Sequence, residues 1–166
     1  MACISLSMLV LCGMGQRGDA PPMELKVNVL FEDTRGPDNS LEPSAEWIDS
    51  QAALERVYTA TATLQLPAEA SLSIPEIDFT TNRVLLVRMG RKPTPGYAIQ
   101  LHPEHCKISQ DTAFISLRWS EPAPGSVLAQ MITSPFILLK LEKQGYSSVN
   151  VMNQHGKTLF ELPVAE

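Results

Sequence analysis

The chain has 166 residues, a length that suits one domain with a single core, since a chain of about this size buries roughly 70% of its unfolded surface and needs no cross-links. Hydrophobic residues make up 44%, ordinary for a globular protein, and the formal net charge is −5. The longest basic run is the pair Arg91-Lys92, whereas neutralising phosphates takes a basic stripe, so these values argue against a nucleic-acid partner.

The first charged residue is Arg17, and residues 1–16 are mostly apolar. Ile4, Leu6, Met8, Leu9, Val10 and Leu11 supply a stretch of the length of a secretory signal, shorter than the about 20 residues of a membrane span. No basic residue follows Met1, so the positive flank usual for such signals is missing, and a buried N-terminal strand or helix is the competing reading. With Gly18, Pro21 and Pro22, residues 16–22 read as a tether. The expected division is a signal-like segment and tether over 1–22 and a single β-rich domain over 23–166, exported to the periplasm or cell envelope. Cys3 and Cys12 fall in the first part, which leaves Cys106 alone in the body and no internal disulfide in a cleaved product. Cys12 stands where a lipoprotein would carry its lipid, but Leu11 before it is large where a small residue is wanted, which disfavours a lipid anchor.

Leu25, Val27, Val29 and Phe31 alternate with polar residues and predict a half-buried strand over 23–31. Gly36, Pro37, Asp38, Asn39, Ser40 and Pro43 make 32–44 a loop. A helix follows, capped by Asp49 or Ser50, with Ala53, Leu54, Val57 and Tyr58 on one face and with Trp47 and Ile48 placed to close over its start. Thr61, polar and β-branched, is the next position on that face, so the helix is expected to end near Tyr58. The stretch 59–74 favours neither period clearly and leans towards a strand up to Pro67.

The apolar run 84–89, broken only by Arg88, predicts a strand buried on both faces. Alternation over 97–102 and 112–119 predicts two more strands, and 127–132, 136–141, 147–152 and 157–162 complete the set, the last two joined by a turn at 153–156. Short strands punctuated by Gly and Pro point to an α+β fold, mostly antiparallel β, built as a sandwich or open barrel with one N-terminal helix.

No catalytic constellation emerges. Ser126 lacks the second glycine of a nucleophile elbow, and His105 and Cys106, as neighbours on extended chain, point to opposite faces. Cys106 reads as a small buried hydrophobe. His102, His105 and Cys106 could hold a soft divalent ion, but only His155 remains to complete a four-ligand site, so 102–106 reads as a polar turn without metal. The carboxylate pairs Glu32/Asp33 and Glu76/Asp78, and Glu104 and Glu121, read as solvated strand ends and turns. No cofactor is implied, and the chain is expected not to be an enzyme.

The feature that stands out is Gly90-Arg91-Lys92-Pro93-Thr94-Pro95-Gly96-Tyr97, between two predicted strands and so expected as an exposed hairpin loop. The glycines allow special backbone angles, and Pro93 and Pro95 reduce the entropy lost on docking. It is no phosphate loop, because no Gly-Lys-Ser/Thr ending is present and a strand follows. A stiff loop with a basic tip suits recognition of a protein partner; the same residues equally suit a tight connector.

At these residues the sequence resembles the PrcB C-terminal domain family, named for a protein that stabilises a surface protease complex. The resemblance runs through 75–79, 84–87, Gly90–Tyr97, 121–125 and 132–136, with the helix around Trp47 and Tyr58 as its lead-in. It implies an envelope-located, non-enzymatic accessory domain whose partner is a protein, with a protease as the candidate it either stabilises or regulates. One departure is that the family's Thr-Gly-Gly-Tyr has Pro95 in place of its first glycine. Pro93–Tyr97 is also similar to one loop of chagasin-type cysteine-protease inhibitors, though without a clear counterpart of their two other inhibitory loops. That likeness implies direct inhibition as the alternative; a small-ligand-binding envelope domain is a further one.

Overall fold

The computed structural model describes residues 21–36, 40–65 and 73–164, so the expectations for the signal-like segment, Cys3 and Cys12 lie outside the described residues, whereas the strand expected up to Pro67 is overturned over 59–65, which are helix. The elements in chain order are β1 (Met23–Glu24), β2 (Val27–Asp33), β3 (Ser44–Ile48), α1 (Gln51–Gln65), β4 (Asn82–Arg88) and β5 (Ala98–Leu101). A single 3-10 turn (Pro103–His105) leads into β6 (Lys107–Ser109), β7 (Thr112–Ser120), β8 (Phe136–Glu142), β9 (Ser148–Asn153) and β10 (Thr158–Pro163).

Two sheets and the helix form three layers. One sheet runs β1-β6-β7-β9-β10, with β5 paired to the second half of β7; the other runs β2-β8-β4-β3. Pairing is antiparallel except between β7 and β9. The result is the expected α+β sandwich, mostly antiparallel and not closed into a barrel.

The run 84–87 lacks polar alternation because β4 has apolar layers on both sides. Leu85 and Val87 pack between the sheets with Ile115, Leu117, Leu139 and Val151. Val84 and Leu86 face the other way, against Leu54 and Tyr58 of α1. Strand β8 behaves alike: Ile137, Leu139 and Leu141 join the first layer, Phe136 and Leu138 the second.

Four further expectations are corrected. The segment 23–31 is two strands in different sheets: β1 pairs β6 and β2 pairs β8. Leu25 and Val27 enter the intersheet core, but a register shift between Val29 and Phe31 leaves Val29 42% exposed and turns Phe31 towards Tyr58 of the helix layer. The helix does not stop at Tyr58. Thr61 is fully buried, and its hydroxyl donates to the Val57 carbonyl at 2.9 Å, so its polar group is satisfied inside the helix and α1 continues to Gln65. A propensity penalty of about 0.7 kcal/mol is small beside such burial.

Trp47 does not close over the helix start. It sits in β3, opposite Leu85, packs on the intersheet core, and its indole N–H donates to the Pro163 carbonyl at 2.9 Å, tying the two sheets at that edge. Ile48 does join the helix layer, and the Ser50 hydroxyl accepts from the Ala53 N–H at 3.3 Å as the cap. Finally, 127–132 is not a strand. It carries no ladder pairing, and the chain after it is held by the bridge between Thr133 and the loop residue Lys92 before β8 begins.

Candidate interaction surface

Strands β4 and β5 belong to different sheets, so Gly90–Tyr97 is a crossover between sheets and not the expected hairpin. Two other segments are laced to it. The Arg91 N–H donates to the Ser40 carbonyl at 2.8 Å, while Lys92 and Thr133 exchange backbone hydrogen bonds at 2.7 and 2.9 Å. The Thr133 hydroxyl donates to the Thr94 carbonyl at 3.1 Å. The Gly36 N–H donates to the Ser134 carbonyl at 2.7 Å, which links the first segment to the third. Residues 34–36, 40–42, 89–97 and 121–135 thus form one loop cluster.

The glycines serve this lacing. Gly90 has φ +73°, and a Cβ there would stand 2.5 Å from the Leu41 carbonyl oxygen, so only glycine admits the neighbouring segment. Gly96 has φ +95° and lies against Pro122; it supplies the left-handed residue, while Pro95, which replaces a glycine of the family pattern, keeps a negative φ.

The loop remains on the surface. Arg91, Pro93 and Gly96 are exposed; Lys92, Thr94, Pro95 and Tyr97 are half-buried, and Gly90 is buried. The Lys92 ammonium lies 5.5 Å from the centre of the Tyr97 ring, a cation–π contact that orients the basic tip.

Sequence reasoning missed the apolar part of this surface. Among the described residues, Leu41 is 63% exposed, Val127 100%, Met131 51% and Ile132 61%, and all four lie on the laced segments. A contiguous apolar patch marks an interaction site, whereas single exposed apolar side chains are ordinary. The available signal is a run of apolar residues directly after the Pro-Gly-rich stretch 122–125, a pattern that equally predicts a strand.

Residues 83–142 match the PrcB C-terminal family. The resemblance read from the sequence is borne out over that stretch, which spans β4 to β8 and therefore both doubly buried strands and two of the three laced segments. Helix α1, strands β9 and β10 and the segment 34–42 lie outside the PrcB C-terminal match. No curated protein and no solved structure matches the chain.

Within the PrcB C-terminal stretch, Cys106 is 4% exposed, its thiol donates weakly to the His102 carbonyl at 3.5 Å, and burial pushes its pKa up. That is the environment of an inert thiol, and His105 points outward, away from it. Glu104, which sequence reasoning left as a turn residue, joins His102 and His105 in a surface cluster with ligand atoms within 4.8 Å of one another.

Before this stretch, Asp78 accepts hydrogen bonds from the Thr80 hydroxyl and N–H and from the Thr81 hydroxyl, which hold its carboxyl down at about 2. It shapes the turn into β4. A shallow hollow of about 330 Å³ lies beside β3, lined by Trp47, Ile48, Asp49, Phe79 and Arg83 among others. Among the described residues no helix is long and apolar enough to cross a membrane.

Proposed function

We propose that the chain is a non-enzymatic, exported accessory domain that binds a protein of a protease complex through the cluster of residues 34–36, 40–42, 89–97 and 121–135. The observation that carries this reading is the exposure of Leu41, Val127, Met131 and Ile132 on the same group of loops, laced by backbone hydrogen bonds, that carries the exposed Arg91. A surface of this kind is already ordered before binding, so little conformational entropy is lost on contact, and its apolar side chains supply the favourable desolvation. The family match supports the protease association. The signal-like opening at residues 1–16 supports export.

The test is capture of proteins from envelope extracts by the tagged chain, by a variant carrying Arg91→Ala, Val127→Ser and Ile132→Ser, and by a control with Glu55→Ala on an exposed position of α1, outside the cluster. The expected result is that a protease or a subunit of its complex is retained by the wild type and the control and is lost with the triple variant, and that adding the chain slows thermal inactivation of that complex. Equal retention by the triple variant, or retained proteins that include no protease component, overturns the reading.

A second reading, direct inhibition of a cysteine protease, is favoured by the meeting of three loops at one place, including Pro93–Tyr97. It predicts that stoichiometric amounts of the chain slow a papain-like enzyme; unchanged turnover across a panel of such enzymes removes it.

A further inference from the structure

The structure assigns His102, Glu104 and His105 to a surface site for one divalent ion of zinc type. The 3-10 turn after β5 creates it. In such a helix three residues make a turn, so side chains at i and i+3 lie one above the other. His102 flanks the turn and His105 ends it, and their rings stack with centroids 5.7 Å apart and 26° between planes. Glu104 reaches the same side, its carboxylate 3.8 Å from the His105 Nδ1. One donor atom from each residue lies within 4.8 Å of the other two. Tetrahedral zinc with bonds of about 2.0–2.1 Å holds its ligand atoms roughly 3.3 Å apart, so small rotations of these side chains close the set.

The backbone beneath them is fixed. Pro103 sets φ at the start of the turn, the His105 N–H donates to the His102 carbonyl at 3.1 Å, and the Cys106 N–H to the Pro103 carbonyl at 3.0 Å. The His102 N–H is bound to the Ser116 carbonyl of β7 at 2.9 Å, and the buried Cys106 plugs the turn into the core. Only side-chain freedom is therefore lost on binding. Two imidazoles and one carboxylate suit zinc and its neighbours, whereas calcium and magnesium want oxygen ligands throughout. Three protein donors leave a fourth position for water. The His105 and Glu104 side chains are 64% and 65% exposed, and Arg118 lines the hollow beside His102, so the affinity expected is micromolar, not that of a buried structural site.

The site is independent of the loop cluster and of the proposed partner. The test is titration of the full chain with Zn²⁺ alone at neutral pH against a chromophoric chelator, with Cys3 and Cys12 changed to serine to remove other soft ligands. One ion per chain is expected. His105→Ala and His102→Ala should each weaken binding at least about tenfold, as loss of a direct ligand must exceed the smallest effect of losing an outer-shell group. His155→Ala, which removes the remaining histidine of three, should leave binding unchanged. Circular dichroism of His105→Ala checks the fold, which the exposure of that side chain protects. No zinc uptake, or uptake that persists in the double variant His102→Ala/His105→Ala, overturns the assignment.

Discussion

Along β4 and β8, residues Val84 to Val87 and Phe136 to Leu139 are at most 1% exposed, and their partners are apolar side chains in two layers. The loop cluster that joins and flanks these strands is ordered by other means: backbone hydrogen bonds between segments, a buried Thr133 and Ser134, and a glycine where Leu41 passes. The strands hide their hydrophobic groups, whereas the cluster presents Val127 and Ile132 to solvent. The difference teaches that this molecule keeps its stability in the strands and not in the rim of the cluster. Side chains on the strands can be changed only at the expense of the fold, while those at the cluster's rim are free of that constraint, as the proposed binding surface requires.

The comparison can be broken most directly at its stable side. Leu139→Ala removes a fully buried side chain that packs between the sheets and should cost about 2–5 kcal/mol in urea unfolding, the range for such cavities. A loss below about 1 kcal/mol, the size of a surface change, would mean that the doubly buried strands do not carry the fold.

Gly90→Ala should come next, at roughly 1–2 kcal/mol for the left-handed backbone, with a further steric term from the Leu41 carbonyl. Its sharper signature is local. Hydrogen exchange at the Arg91 and Lys92 amides, which bond to Ser40 and Thr133, should accelerate while amides of β8 stay protected. Uniform acceleration throughout the chain would show that cluster and strands are one cooperative unit.

The smallest effect belongs to the turn before β4. Asp78 is fully exposed, and its carboxyl is held at about 2 against an ordinary 3.8, so it contributes stability above the ordinary value that is lost as the pH falls towards 2. Asp78→Asn should flatten the acid limb of the stability curve slightly, and NMR titration of the wild-type carboxyl should give a midpoint near 2. A midpoint near 4 would show that the Thr80 and Thr81 hydrogen bonds do not persist in solution.

Much of the fold was legible because burial leaves a periodic trace. The unbroken run of β4, the strand β8, the turn at 153–156 closing β9 onto β10, the cap at Ser50 and the buried Cys106 all follow from local pattern. Strand β3 was hidden because Ser44 and Pro43 look like loop and because Trp47 reads equally as a helix staple. Of the candidate site, Gly90–Tyr97 was legible as a conformationally special loop. Its lacing to Ser40 and Thr133 was not, since contacts between backbone groups far apart in the chain leave no residue pattern.

The amino-acid sequence by itself determined most of the buried segments, and with them the mostly antiparallel α+β class and the family likeness, because hydrophobic periodicity and turn chemistry are local properties. The choice of sandwich over open barrel came from the pairing of the strands. The tertiary structure alone decided that Thr61 stays helical, that 127–132 goes unpaired and presents its apolar side chains, and that Glu104 meets two histidines. Each depends on which neighbours are already in place: a hydroxyl finds its acceptor one turn back, a segment is led into the loop cluster by the Thr133–Lys92 bridge, and a 3-10 turn stacks side chains that an extended chain would separate.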